Sequence, residues 1–334
     1  MQYRSLGTSN LKVSALCLGT MMFGDQTDAL EAARIVSHAH AKGVNYIDTA
    51  DVYSRGASEV IVGNSIKAHR HDWVLATKLG NVMSDRPNEG HFSRSWMLRE
   101  IDASLARLQT DHVDILYLHR DVNDMNLEEP LRALDAMLRA GKIRYWGVSN
   151  FRGWRIAELQ RLCGQIGMPG PVVCQPYYNL LNRMPEVEVL PACLHYGIGV
   201  TPYSPIARGV LTGKYLPGQA ASPDTRAGRG DKRIMDTEFR AESLAIAQTL
   251  QQHVEGLGQN GLNLAQFACA WVLASRAVSS VIAGPRTLAQ WQDYLPALDY
   301  VITPEDEALV NTLVKPGHPS TPGYSDPAYP LPAR

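Results

Sequence analysis

The chain has 334 residues, of which 45% are hydrophobic, and a formal net charge of −1 at pH 7. A balance this close to zero offers no electrostatic attraction for nucleic acid or for an anionic membrane surface, so we expect neither partner. No apolar run approaches the roughly 20 residues of a membrane span, and the first residues lack a charged and then apolar leader, so we expect a cytoplasmic protein. The five cysteines are odd in number and lack CxxC spacing, which predicts reduced core residues.

The first half of the chain predicts a hairpin followed by alternating strands and helices. Residues 2–14 form the hairpin, with a turn at 7–10, and we expect it to act as a cap. Asp28, followed by Glu31 three residues later, is typical of a helix start with a capping box. Strands are predicted at 13–19, 44–48, 73–78 and 113–119, and helices at 28–43, 58–68, 93–108 and 128–140.

The second half continues the alternation, with two departures. Strands are predicted at 143–150, 171–175, 198–203 and 278–283, and helices at 154–162, 186–195 and 264–274. Residues 204–240 form a long connection rich in glycine, proline and charge, which is typical of a functional lid. From Lys315 onward the chain is rich in proline, which predicts an extended tail.

Eight apolar strands separated by helices, within one composition regime, favour a closed barrel over an open sheet. We therefore expect an α/β fold: a (β/α)8 TIM barrel with an N-terminal β-hairpin cap and long loops at its carboxyl-terminal face. One barrel domain is predicted over residues 1–314, followed by a proline-rich tail over 315–334.

Three consecutive predicted strands end in chemically useful side chains. These are Asp48, Lys78 and His119, and Tyr53 follows Asp48 in the next loop. A phenol is a weak acid, with an ordinary pKa of about 10, and a nearby ammonium such as that of Lys78 favours its ionised form. Asp48 would hold the lysine charged, and His119 would offer a second hydrogen bond to a carbonyl oxygen. This combination is suited to protonating an alkoxide as it forms during carbonyl reduction. No side chain can supply hydride, so a nicotinamide cofactor is implied.

Each of these residues has an ordinary structural explanation when it is taken singly. An Asp at a strand end is most often a helix cap, a Lys there is usually solvated, and a His is more often structural than catalytic. Their arrival at three consecutive strand ends favours a common site. Metal chemistry is not expected, because His38 and His40 lie two positions apart on a helix and His69 and His71 lie in a polar loop.

The sequence resembles the aldo-keto reductase superfamily. Residues 43–50 with Tyr53, then 56–59 and Gly63, are similar to the first signature of that family. The similarity continues through residues 149–150, 175–180, 203–209, 211–215 and 284–287, and it covers roughly residues 2–314.

The resemblance implies an NAD(P)H-dependent reductase of aldehydes or ketones, and Arg286 favours NADPH over NADH as its cofactor. Tyr53 would be the general acid, tuned by Lys78 and Asp48, and His119 would orient the carbonyl. Ser149, Asn150 and Gln175 would hold the nicotinamide carboxamide, and Tyr203 would stack on its ring. Ser204, Ile206, Arg208 and Lys214 would line the pyrophosphate, and Arg286 would face the adenosine ribose, where its planar fork favours a 2′-phosphate. The remaining expected cofactor contacts are Gly19, Thr20, Met21, Asp48, Pro205, Ala207, Gly209, Gly284, Gln290 and Asp293, and the expected substrate pocket is formed by Phe23, Tyr53, His119 and Arg120.

Two other functional classes stay open at this stage. The resemblance also allows a cofactor-sensing subunit of a membrane channel, which would bind cofactor and turn over little. The residues themselves allow a barrel aldolase that uses Lys78 as a Schiff base, although an adjacent Asp48 would keep that amine charged. The sequence predicts neither the carbonyl substrate nor the oligomeric state.

Overall fold

The computed structural model describes residues 1–258 and 262–329. The strands in chain order are β1 (Tyr3–Ser5), β2 (Lys12–Ser14), β3 (Leu16–Gly19), β4 (Tyr46–Asp48), β5 (Val74–Leu79), β6 (Val113–Leu118), β7 (Ile143–Ser149), β8 (Val173–Gln175), β9 (Gly199–Val200) and β10 (Val281–Ala283). The α-helices are α1 (Ala29–Ala41), α2 (Ala57–Ile66), α3 (Arg94–Leu108), α4 (Glu128–Arg139), α5 (Gly153–Ile166), α6 (Val189–Tyr196), α7 (Lys232–Thr237), α8 (Ala241–Gly256), α9 (Leu264–Ala274), α10 (Leu288–Tyr294) and α11 (Pro304–Leu313).

The predicted (β/α)8 barrel is confirmed. Strands β3 to β10 form one parallel sheet in the order β10, β3, β4, β5, β6, β7, β8, β9. The two ends of that order meet, because the Ser279 amide donates to the Val200 carbonyl at 2.8 Å and the Ile282 amide donates to that of Pro202 at 3.0 Å. The separate hairpin of β1 and β2 pairs antiparallel, with Tyr3 opposite Ser14, as the sequence predicts.

The register of the parallel strands brings their polar ends to one face of the barrel. Asp48 pairs with Gly19 on β3, and Ser149 pairs with Gln175 on β8. Lys78 lies one residue from the end of β5, opposite Tyr117. The carboxyl ends of parallel strands converge at one end of such a barrel, so these side chains surround a common mouth.

The barrel interior is filled by side chains, as in other barrels of this type. Tyr46 and Tyr117 are fully buried there, and their hydroxyls share a hydrogen bond of 2.6 Å. All five cysteines are buried and unpaired. Among the described residues, no helix has both the length and the apolar content needed to cross a membrane.

Several element bounds differ from those expected. The strand predicted at 13–19 is two strands, because the Ala15 amide turns to donate to Gln2 at 2.9 Å and separates the hairpin from β3. Asp28 does cap α1 by accepting from the Glu31 amide, whereas the Glu31 carboxylate accepts from the Leu288 amide at 2.6 Å instead of completing a capping box. Helices α7, α8, α10 and α11 were not predicted from the sequence.

The tail after α11 returns along the barrel toward its mouth. The Ser320 amide donates to the Leu181 carbonyl at 2.8 Å, and Arg152 donates to the Tyr329 carbonyl at 3.2 Å. Asp326 accepts from both terminal nitrogens of Arg233, at 2.6 and 2.5 Å. The last part of the predicted tail, residues 330–334, lies outside the described residues.

Candidate active site

A cavity of about 420 Å³ opens at the carboxyl-terminal face of the barrel. It is lined by most of the residues that the sequence predicts for catalysis and cofactor binding. Those that line it are Gly19, Thr20, Met21, Asp48, Tyr53, His119, Ser149, Asn150, Gln175, Tyr203, Ser204, Pro205, Ile206, Arg208, Gly209, Lys214, Gly284, Arg286, Gln290 and Asp293.

Lys78 lies completely buried beneath the cavity floor, and its ammonium is fully engaged. It donates to the Asp48 carboxylate, to the Thr49 carbonyl at 2.8 Å and to the Tyr53 hydroxyl at 3.1 Å. Burial alone would lower the pKa of Lys78, but the nearby Asp48 and Tyr53 oxygens raise it above its ordinary value. Each of the three N–H donors of the Lys78 ammonium therefore has an acceptor. These bonds keep the ammonium charged and fix its orientation.

Tyr53 presents its hydroxyl to the same cavity. Burial raises the pKa of Tyr53 above its ordinary value, and the Lys78 ammonium only partly offsets this effect. The sequence predicts that the Lys78 ammonium lowers this pKa. The net direction is the opposite, because the phenol is buried and the Asp48 carboxylate also disfavours the phenolate.

The backbone after Tyr53 is unusually constrained. Ser54 and Arg55 both adopt left-handed conformations, with φ of 48° and 54°, which residues other than glycine rarely do. The Ser54 hydroxyl donates to the Phe23 carbonyl at 3.0 Å and ties this segment to the loop after β3. Strain of this kind persists only where surrounding contacts over-determine it, and here those contacts fix the loop that carries Tyr53.

His119 stands edge-on to Tyr53, with ring centroids 5.8 Å apart. Burial, with the positive charges of Lys78 and Arg120, lowers the pKa of His119 well below its ordinary value. The imidazole is therefore neutral at pH 7. Its Nδ1 is buried and has no hydrogen-bond partner within the described part of the chain. The ring can hydrogen-bond to a molecule that enters the cavity without carrying a charge into it.

A second group of polar side chains forms one wall of the cavity. The Gln175 amide donates to the Asp48 carboxylate at 3.0 Å, and the Ser149 hydroxyl donates to the Gln175 carbonyl at 2.9 Å. The Tyr203 hydroxyl donates to the Asn150 side chain at 2.8 Å. These bonds connect the ends of β4, β7 and β8 with the start of the long loop, so the wall has a defined shape.

Several cationic side chains also line the cavity. Arg208, Lys214, Arg226 and Arg286 all line it. Burial and the neighbouring Arg286 and Arg226 lower the pKa of Lys214. The Arg208 Nε is buried with no hydrogen-bond partner among the described residues, and burial lowers the pKa of that guanidinium. A buried guanidinium nitrogen without a partner and a lysine beside two arginines suit a ligand with several negative charges, as a dinucleotide phosphate has.

The structure also shows where the sequence-based set was incomplete. Phe23, Arg120 and Ala207 were nominated, but they are not among the described residues that line the cavity; the Phe23 side chain is wholly buried in the core. Lining residues outside the nominated set are Met22, Thr212, Arg226, Arg233, Ala265, Ile282, Tyr294 and Tyr329. Arg226 lies in the long basic loop, whose charge could have predicted a contact with the cofactor. Tyr329 lies in the tail, where the composition contains no feature that predicts a place in the cavity wall.

Fold and site together define a barrel of the oxidoreductase class, and comparison with known proteins agrees. The sequence model of the aldo/keto reductase family matches residues 15–315, and the chain belongs to that family. It is 37% identical, over 90% of its length and 92% of the other chain, to a probable voltage-gated potassium channel subunit beta of Arabidopsis thaliana. It is 35% identical, over 94% and 96%, to an uncharacterized oxidoreductase of Bacillus subtilis. It is 33% identical, over 95% and 99%, to a versiconal hemiacetal acetate reductase of Aspergillus parasiticus.

Proposed function

We propose that this protein reduces aldehydes or ketones to alcohols with NADPH, and that Tyr53 is the general acid. The observation that carries the proposal is the hydrogen-bonded line from Asp48 through the Lys78 ammonium to the Tyr53 hydroxyl, beside the neutral ring of His119. Two relatives named as an oxidoreductase and a reductase support the same chemistry.

Three side chains have separate roles in the proposed transfer of a proton to the carbonyl oxygen. Tyr53 keeps its proton at neutral pH because its pKa is raised, so it is in the form that can donate to a carbonyl oxygen. Once the Tyr53 oxygen has given up that proton, the Lys78 ammonium at 3.1 Å stabilises the negative charge left on it. His119 directs the carbonyl oxygen toward Tyr53 by a hydrogen bond. NADPH supplies the hydride when it is bound.

The cavity walls suit the two ends of that cofactor. Ser149, Asn150, Gln175 and Tyr203 would hold the nicotinamide, and Arg208 and Lys214 would hold the pyrophosphate. Arg286 would contact the 2′-phosphate, with Gln290 and Asp293 beside it. Two observations support this role: Arg286 lines the cavity together with Lys214, and its backbone amide donates to the Gln290 side chain at 2.9 Å.

Turnover of a carbonyl panel tests the proposal. Purified protein is mixed with NADPH and a series of aldehydes and ketones, and the loss of reduced-nicotinamide absorbance is followed. We expect saturable turnover with at least some aldehydes. Tight NADPH binding without turnover of any carbonyl in a broad panel would contradict the proposal.

A cofactor-sensing role is the second candidate. It is favoured by the similarity to a plant chain named as a potassium channel beta subunit. A sensor needs the bound cofactor but not rapid chemistry. The panel separates the two functions, because a sensor would show at most a slow single turnover of bound NADPH with every aldehyde.

A further inference from the structure

A second cluster of functional side chains lies away from the cavity, at the opposite end of the barrel. His40 is in the last turn of α1, which leads into β4, and His69 and Asp72 belong to the 3-10 helix Lys67–Asp72, which leads into β5. All three therefore precede their strands, whereas Asp48 and Lys78 lie near the strand ends. Sequence spacing does not predict that His40 and His69 meet, since the two belong to different elements.

The three side chains converge on one carboxylate oxygen. The His40 Nε2 lies 2.8 Å from the Asp72 Oδ2, and the His69 Nδ1 lies 3.6 Å from the same oxygen. All three donor atoms lie within 4.8 Å of one another. Two ligands of one tetrahedral zinc ion are separated by about 3.3 Å, given ligand distances of about 2.0 to 2.2 Å. The observed spacings bracket that value, so small side-chain rotations bring the donors around one ion.

The surroundings hold the imidazoles in place and leave them open to solvent. The rings of His40 and His69 stack with centroids 4.7 Å apart, and His40 also packs against the buried Trp73 at 5.9 Å. The side chains of His40, His69 and Asp72 are 34%, 59% and 55% exposed, so an ion can enter. The carboxyl end of α1 points its partial negative charge at the same place, which favours a cation there.

The neighbouring arginine does not compete for the site. Arg70 lies between His69 and Asp72 in the sequence, but its guanidinium is directed elsewhere. It bonds to the Asp114 carboxylate at 2.9 Å, to the Trp73 carbonyl at 2.9 Å and to the His112 carbonyl at 3.0 Å. Its charge is compensated by Asp114, so Asp72 keeps its own charge for the two histidines.

We propose that His40, His69 and Asp72 bind one late transition-metal dication, with Zn²⁺ as the natural candidate. Two imidazole nitrogens and one carboxylate oxygen suit zinc, nickel or copper, whereas magnesium and calcium prefer oxygen ligands alone. The ion takes the place of the hydrogen between His40 and Asp72, and His40 binds it as a neutral imidazole through Nε2, with its ring proton on Nδ1. Water completes the coordination. The bound ion links the last turn of α1 to the 3-10 helix Lys67–Asp72, and so stabilises the amino-terminal face of the barrel.

Calorimetric titration of untagged protein with ZnCl₂, in a buffer that does not chelate metals, tests this site. We expect one ion per chain, and we expect His69→Ala and Asp72→Asn each to weaken Zn²⁺ binding by at least about tenfold, which corresponds to about 1.4 kcal/mol. His71→Ala is the matched control, because His71 lies in the same segment outside the cluster. Its affinity should equal that of the wild type.

Thermal unfolding gives a second readout that does not depend on catalysis. Zn²⁺ should raise the unfolding temperature of the wild type and of His71→Ala but not of His69→Ala, because only a ligand that binds the folded state stabilises it. All variants change exposed side chains, and unchanged NADPH binding confirms that each is folded. Equal zinc affinity in the wild type and His69→Ala, or no binding of one ion per wild-type chain, would overturn the proposal.

Discussion

At the scale of single residues, the state of Lys78 decides between two chemistries. A Schiff-base aldolase needs a neutral lysine nitrogen that can attack a carbonyl. Lys78 instead has a raised pKa and donates to Asp48, Thr49 and Tyr53, so its lone pair is not available. The same contacts suit a tyrosine that acts as a general acid, because the charged Lys78 can stabilise the phenolate that forms when Tyr53 donates its proton. The geometry therefore supports the reductase proposal and disfavours the aldolase alternative.

Glu238 gives a prediction about pH and stability. Its side chain is almost completely buried, Oε1 has no partner among the described residues, and burial raises the pKa of Glu238 to about 8. An unfolded glutamate loses its proton at much lower pH. At pH values between the pKa of the unfolded glutamate and that of folded Glu238, the folded protein keeps a proton that the unfolded chain has released. The free energy of unfolding therefore falls as pH rises through this range.

We expect the unfolding temperature of the wild type to fall more steeply than that of Glu238→Gln from about pH 5 to about pH 8. Differential scanning calorimetry over that range measures it. The exposed Glu242, mutated in the same way, is the control and should keep the wild-type slope. Parallel curves for the wild type and Glu238→Gln would show that Glu238 does not titrate as described.

Arg286 gives a prediction about cofactor choice. A charge-assisted contact to a 2′-phosphate contributes about 1.5 to 3 kcal/mol, so NADPH should bind at least about tenfold more tightly than NADH. Arg286→Ala should weaken NADPH and leave NADH nearly unchanged, as measured by fluorescence titration.

Arg229→Ala is the matched control for that experiment. Arg229 and Arg286 both donate to the Gln26 side chain at 3.2 Å, but only Arg286 lines the cavity. The control should keep the wild-type preference. Equal wild-type affinities for the two cofactors, or equal losses of both in Arg286→Ala, would argue against this role.

At the scale of elements, the tail and α7 meet above the cavity. Arg233 on α7 and Tyr329 in the tail both line it, and the two-bonded pair of Arg233 with Asp326 connects their segments. Burial opposes the charge of Arg233, but the Asp326 carboxylate raises its pKa, so the pair is ionised. The tail thereby forms part of the cavity wall.

Breaking this pair should alter substrate binding. We expect Asp326→Asn to raise the KM for carbonyl substrates several-fold with a smaller change in kcat, because Tyr329 is no longer held in place. Steady-state kinetics on the best substrate measures it. Asp236→Asn is the control, because Asp236 forms an exposed pair with Lys232 on the same helix. If the two variants behave alike, the tail does not shape the pocket.

The same elements show how far sequence reasoning reaches. Asp48, Lys78 and His119 were predictable because each follows a run of apolar residues, and such runs become neighbouring strands of a barrel. Tyr329 was not predictable, because its place depends on a contact between Arg233 and Asp326, which are 93 residues apart. Strand β9 covers only Gly199–Val200 of the predicted 198–203, although Tyr203 still forms a parallel bridge with Tyr177.

At the scale of the whole molecule, the net charge does not show how charged side chains are distributed over the fold. The net charge of −1 offers no attraction for nucleic acid or for an anionic membrane, yet Arg208, Lys214, Arg226 and Arg286 line one cavity. They come from the long loop and from the connection after β10, which only the closed barrel brings together. The fold thus builds a cation-lined cavity wall that composition cannot reveal, with the Tyr53 hydroxyl in the same cavity.

The most direct test of the central proposal is a paired measurement on the wild type and Tyr53→Phe, with carbonyl turnover and NADPH affinity determined on the same preparations. Removing the phenol hydroxyl deletes the proton donor while keeping the ring, so turnover should fall by at least about a hundredfold. NADPH affinity should stay within a small factor of the wild-type value. Near-normal turnover in Tyr53→Phe would contradict the assignment of Tyr53 as the acid.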